Sequence, residues 1–414
     1  MPPPDVLELV QALPTSGARA AATFILNGRQ FIAIPQLARD IAGVPSGMNL
    51  GDSDVDLIIY RLNDASLFEE FQRLPVPGGE DAEFFSIGGR HFLATASLRT
   101  GKGPYNMVEN VSSAIWEWQD GKFVEFQRIP TFAAKQWRYF TIEGRSFLAL
   151  AQGVTLPGIT TRIPPESVIY EWDASSSSFV RFQTVPSGWG YNWLHFSLAG
   201  HDFLAYADQE MPSVILRWEN GKFEYFQDLE GALGRAFCFI ETEIESLLAF
   251  ANIADDTLLY AWDGKKFQIR QRLKGPGGRE FALVKHAEDS YLILVRFITG
   301  TRQAPKTDLQ STIYRLVDGF LEEVLAFPTF GATDCSIMTV KDETWLVVCE
   351  SLDKDQNFRV DTHIYRFNPQ PAIALFRVPR AVPSVHSQRH QSWNPASHIF
   401  VCKDLSVPTA RCDE

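Results

Sequence analysis

Four stretches of the chain superimpose without a gap: Phe24–Ala33 (FILNGRQFIA), Phe85–Ala94 (FSIGGRHFLA), Phe140–Ala149 (FTIEGRSFLA) and Phe196–Ala205 (FSLAGHDFLA). Each reads as two short strands around a glycine-containing turn. Diverged versions follow at Cys238 to Ala249, Leu283 to Ile293 and Ile337 to Val347, which makes seven hairpins. A third strand follows each hairpin, as in Ile115-Trp116-Glu117-Trp118, Ile169-Tyr170-Glu171-Trp172 and Ile364-Tyr365-Arg366-Phe367. Asp120-Gly121-Lys122 or Asn220-Gly221-Lys222 then turns the chain into a fourth, such as Phe123-Val124-Glu125-Phe126-Gln127. Asp-Gly and Asn-Gly between apolar runs are strong hairpin signals.

The unit is therefore a four-stranded meander, and a repeat of this length is that of a propeller blade. Seven units predict an all-β, seven-bladed β-propeller of four-stranded antiparallel blades over residues 1–380, with 381–414 as a C-terminal tail or strap. A β-solenoid would need polar capping repeats at its ends, and neither end resembles one. Two segments compete to close the ring. Val6–Pro14 reads as an outer strand with no blade before it, and Ile373–Pro379 reads the same way. Eight outer strands thus compete for seven places.

The succession Tyr-x-Trp, Asp-Gly-Lys-Phe, Phe-Gln-x-Ile/Val-Pro and Phe-x-Ile-x-Gly-x-x-Phe-Leu-Ala resembles the EAR repeat, also called EPTP, of the leucine-rich glioma-inactivated proteins and their relatives. The resemblance runs over about residues 5–380 and is most specific in the second to fourth units. It implies a propeller that binds other proteins rather than catalysing a reaction, in some members with a metal ion in the central channel. The leucine-rich repeats and disulfide-rich flanks of those secreted proteins are absent from this sequence, so their partners and location do not carry over.

Composition narrows the partners. Among 414 residues, Lys+Arg 38 against Asp+Glu 50 gives a formal charge of −12, which argues against a broad phosphate-binding surface and hence against nucleic acid. No run approaches the roughly 18 apolar residues of a membrane-spanning helix, and the first residues lack the basic and apolar regions of a secretory signal. Five cysteines, an odd number, suit a reducing compartment, which favours an intracellular location. No Gly-x-Ser-x-Gly, His-Glu-x-x-His or phosphate-binding glycine loop occurs.

In such a blade, the loops between second and third strands share a face with the connections from one blade to the next, so binding is expected there. Five of the loops between second and third strands are long, at 35–56, 97–113, 152–167, 296–311 and 350–362. Four residues before the repeat Phe stand Ala20, Asp81, Gln136, Asn192, Arg235, Glu280 and Asp334, one per blade, as a ring at the channel mouth. Asp81, Glu280 and Asp334, with Glu83 two residues on, are hard oxygen donors that suit Ca²⁺. A solvated polar channel with Arg235 paired to a carboxylate is the competing reading.

The third and fourth units carry Trp137, Arg138, Trp189, Tyr191, Trp193 and His195 at matching positions. These residue types suit a glycan or aromatic ligand. They also admit an enzyme of lyase or cyclase type, with His195 and Tyr191 as base and acid and Arg138 steadying negative charge. Packing of Trp137 and Trp193 between blades is the structural alternative. The primary expectation is a scaffold for a protein or glycan partner. In the tail, His386, His390, His398, Cys402 and Cys412 have spacings compatible with Zn²⁺, or belong to a strap.

Overall fold

A computed structural model of the protein describes residues 6–104, 106–153, 165–301 and 304–369. Among these there is no helix; the chain forms seven four-stranded antiparallel sheets, the blades of a β-propeller. The first six blades start at Ala22, Gly79, Gln136, Gly190, Gly234 and Gly278, and each runs as a meander. The seventh takes Ala332–Val340, Glu343–Glu350 and Thr362–Phe367 from the C-terminal side and its outer strand, Leu7–Leu13, from the N-terminal side. Leu7 pairs with Phe367 and Leu13 with Thr362, so the N-terminal segment closes the ring. The competing Ile373–Pro379, like the tail histidines and cysteines, lies outside the described residues.

The repeat motif encodes the joints between blades. On the outer strands, Gln72, Gln127, Gln183 and Gln227 each donate to the carbonyl and accept from the amide of a Phe in the next blade: Phe123, Phe179, Phe223 and Phe267. Gln11 does the same to Phe68 across the closing junction, and Gln271 to Leu321. At the junction of blades six and seven the matching position is Leu325, packed with Val6 and Leu7. The Gly-Arg of the hairpin has a comparable task. Arg90 forks onto Glu117 at 2.6 and 3.0 Å, while its guanidinium lies over Phe92 and Phe126 of its own blade and Trp172 of the next. Arg145 repeats this with Glu171, Phe147, Phe182 and Trp218.

The core is a set of clusters sandwiched between successive blades, and each is largely aromatic and aliphatic. Cys335 and Cys349 are free and buried in these layers as small apolar side chains.

Candidate binding site at the channel mouth

In blades two, four, six and seven the innermost strand begins with a residue that the ladder leaves out. In blade two, Gly79 pairs with Ser97 and Asp81 with Ala96, so Glu80 is the extra residue of a β-bulge. Tyr191, Arg279 and Thr333 are the extra residues of blades four, six and seven. A bulge re-aims a side chain, and in blades two, four and six it turns Glu80, Tyr191 and Arg279 toward the mouth. The preceding glycine is forced by crowding: a Cβ on Gly190 would lie 2.1 Å from the Tyr206 hydroxyl, and one on Gly234 2.4 Å from Ser213.

The mouth ring is thus Arg19, Glu80, Lys135, Tyr191, Arg235, Arg279 and Thr333. This corrects the register of the fifth repeat. Ile240 pairs with Leu247 as Phe196 pairs with Phe203, so the position four before it is Ala236, and Arg235 belongs one step further out. Sequence reasoning passed over Arg19, Glu80 and Arg279. The signal was present in the glycines at 79, 190, 234 and 278, each followed at once by a ring residue.

All of these side chains but Thr333, whose hydroxyl donates to the Ala18 carbonyl, floor a cavity of about 640 Å³. Its wall is apolar, with Leu37, Leu98, Ile253 and Phe297 from the loops after the second strands. Arg19 and Lys135 both pair with Glu80 at 3.0 Å. Burial opposes ionisation of Glu80, but Arg19, Lys135 and Arg279 outweigh it and hold its carboxyl at about 2. Tyr191 lies under Arg235, whose guanidinium is 3.8 Å from the ring centroid, with Lys135 at 5.1 Å and Arg279 at 5.5 Å. Burial alone would push the phenol up, yet the surrounding cations hold it below the ordinary tyrosine range. Trp189 stacks beside Tyr191, and its loop is fixed by Asp208, which accepts from the Gly188 and Trp189 amides.

One layer further in, the carboxylates suggested as metal ligands serve as joints. Asp81 accepts from the Trp137 amide of the next blade at 2.8 Å, Glu83 from Tyr139, and Asp334 from Ala21 across the closing junction. Gln136 makes the same bond to Trp193. Asn192 donates to Glu280 from blade four to blade six, a hydrogen bond that passes over blade five. Burial and Glu83 push Asp81 up to about 7, and burial and Asp334 push Glu280 up to about 8. Arg138 pairs with Glu83 at 3.3 Å and sits in the field of Asp81, Glu280 and Asp334. This set does not fit a Ca²⁺ ion. Among the described residues no group of three or more His, Cys, Asp or Glu side chains stands close enough to hold one, and a guanidinium already supplies the positive charge.

The aromatic and basic cluster is divided by depth. Trp137 and Trp193 are fully buried between blades, Trp137 donating to the Thr95 carbonyl and Trp193 stacked 4.0 Å from Tyr206. His195 stacks on Phe140 and bonds Asp202 at 3.0 Å; burial lowers its pKa despite that carboxylate. His195 stands four residues from Tyr191 on one strand, about 13 Å at the rise of an extended chain. No hydrogen bond, ion pair or ring contact among the described residues joins any two of His195, Tyr191 and Arg138. Only Trp189, Tyr191 and Arg235 of the expected residues reach the mouth cavity.

Comparison with known proteins agrees with this architecture. The EPTP domain family model matches residues 67–119, 122–173 and 178–219. Residues 67–219 carry EPTP repeats. It is 34% identical over 142 residues to the thrombospondin-type laminin G domain and EAR repeat-containing protein of Mus musculus, covering 33% of this chain and 19% of that one. It is 32% identical over 138 residues to the Homo sapiens protein of the same name, covering 31% and 18%. The match therefore spans about a fifth of the length of these relatives. Among solved structures, the crystal structure of BBS1N in complex with ARL6DN is similar with a TM-score of 0.53 at 12% identity, covering 88% of this chain and 97% of that one. At that identity the likeness is one of fold alone. Among the described residues no helix is long and apolar enough to cross a membrane.

Proposed function

We propose that this EPTP-repeat propeller is a binding scaffold that engages a protein or glycan partner through its loop-bearing face, with the mouth cavity as the seat. One observation carries the reading. The Phe-Gln, Gly-Arg and inner-strand acidic residues of the repeat are spent on joints between blades, whereas the mouth ring points buried polar side chains into open space. The loops around the mouth also present Val44, Val108 and Met211 to solvent, apolar residues with no role in the blades.

The experiment compares the parent with Val108→Asp and Met211→Asp on the loop face and Ile244→Asp on a hairpin turn of the opposite face. Each is immobilised and probed by cross-linking mass spectrometry and a glycan array. Retained ligand should fall at least tenfold for the loop-face variants and stay at the parent level for Ile244→Asp. Equal retention by all four proteins would overturn the assignment of the binding face.

A further inference from the structure

We infer that the seat at the channel mouth takes a compact oxyanion carrying two or more negative charges, a phosphate or clustered-carboxylate group. This rests on the scaffold reading and names the ligand chemistry of the same site.

The inference comes from charge that the fold leaves unbalanced. Four cationic side chains, Arg19, Lys135, Arg235 and Arg279, are each more than nine-tenths buried in the ring, in a chain whose formal charge is −12. Glu80 is shared by two of them. Among the described residues Arg235 is held only by neutral oxygens, the Leu233 and Gly234 carbonyls and the Gln209 side chain, which occupy three of its five N–H donors. Arg279 is 7% exposed, and its buried Nε has no hydrogen-bond partner among the described residues. Its ion pair with Glu280, from Nη1, is 3.9 Å long, at the outer limit of such a contact, and Glu80 and Asp334 act on it only through the field, without a hydrogen bond to it among the described residues.

A buried charge without a partner is costly, and two guanidiniums flanking one phenol repel each other as well. A neutral sugar or apolar side chain would leave that cost in place. An oxyanion removes it, because a guanidinium presents paired N–H groups that match phosphate and carboxylate oxygens. The volume is that of a small-ligand site. Arg235 and Arg279 line the cavity over the Tyr191 ring, with Trp189 stacked beside it, so an anionic head group can carry an organic body that rests on the aromatic and apolar wall.

Calorimetric titration of the full chain at low ionic strength tests this with inorganic pyrophosphate, citrate, glucose 6-phosphate and glucose. Saturable binding of at least one anion is expected, at least tenfold tighter than glucose. A preference for glucose 6-phosphate over pyrophosphate marks an esterified head group, and the reverse marks a free anion. Arg279→Gln and Arg235→Gln should each weaken the anion at least tenfold, Arg279→Lys less, and Arg128→Gln on an outer strand not at all. Absence of saturable anion binding to the parent, or unchanged binding in both Gln variants, overturns the inference. If partner capture still depends on Val108 and Met211, only the ligand chemistry falls and the scaffold stands.

Discussion

Replacing Gln127 by Ala removes a joint and nothing else. The side chain makes two hydrogen bonds, 2.8 Å to the Phe179 carbonyl and 2.9 Å from its amide, and lies on the outer strands away from the aromatic core. A net contribution of about 0.5–1.5 kcal/mol per bond gives a loss of about 1–3 kcal/mol for the pair. For a propeller of this size, with an unfolding entropy near 2 cal/mol/K per residue, that is a fall in Tm of about 1–4 °C. Urea unfolding followed by tryptophan fluorescence gives the free energy, and scanning calorimetry the melting temperature. Gln127→Glu sharpens the test, because a carboxylate keeps the acceptor but sets a negative charge against the Phe179 carbonyl. Its pKa in the folded state is then raised, so the folded protein holds the proton longer than the unfolded chain. Stability should fall as pH rises from about 4.5 and recover as pH drops, when the protonated acid donates. Exposed Gln268→Ala is the control, expected within about 0.5 kcal/mol of the parent. A Gln127→Ala loss no larger than that of the control would refute the view that Phe-Gln is a joint.

Removing residues 6–13 takes the outer strand from blade seven and the Gln11 joint from the closing junction; the trimmed protein should expose a sheet edge, melt well below the parent and self-associate in size-exclusion chromatography. Trp193→Ala should cost about 3–5 kcal/mol in urea unfolding, because the ring is fully buried against Tyr206, and a cost under about 1 kcal/mol would contradict that packing. Asp81 and Glu280, with folded-state values raised to about 7 and about 8, hold protons that the unfolded chain has lost, so stability should decline from pH 5 to pH 8. Asp81→Asn keeps an acceptor for the Trp137 amide and should flatten that decline; an unchanged slope would show that Asp81 does not titrate there.

The blades were legible because their joints repeat. A Gln that must reach the next blade recurs at a fixed place, and so does an Arg that must cross to a Glu and a Trp. Closure was ambiguous because Val6–Pro14 and Ile373–Pro379 share the outer-strand pattern, and only pairing with Thr362–Phe367 distinguishes them. The fifth repeat misled by one residue because Phe239 imitates the repeat Phe, whose place Ile240 takes. The inner acidic residues resemble metal donors in the sequence because a carboxylate that accepts a backbone amide from the next blade is the same residue type as one that holds calcium. Trp137 and Trp193 matched each other correctly, but matching positions share burial as well as neighbourhood, and these two face the core.

The contrast between an acidic chain and a cationic floor bears on how the mouth recognises a ligand. At ionic strength near 0.1 M, fields fade over about 10 Å, so the charge of the whole surface reaches an approaching anion only weakly and with the repulsive sign. Long-range attraction therefore cannot draw it in. Whatever affinity the site has must arise inside the cavity, where Arg235 and Arg279 sit in a low-dielectric setting and direct contact outweighs net charge. Such a site selects by the shape and spacing of the oxyanions. Exposed basic residues elsewhere, paired as Arg128 is with Glu125, have no comparable hold. The loops then decide which molecules carrying that group can enter, and that is where chains sharing this blade motif are free to differ.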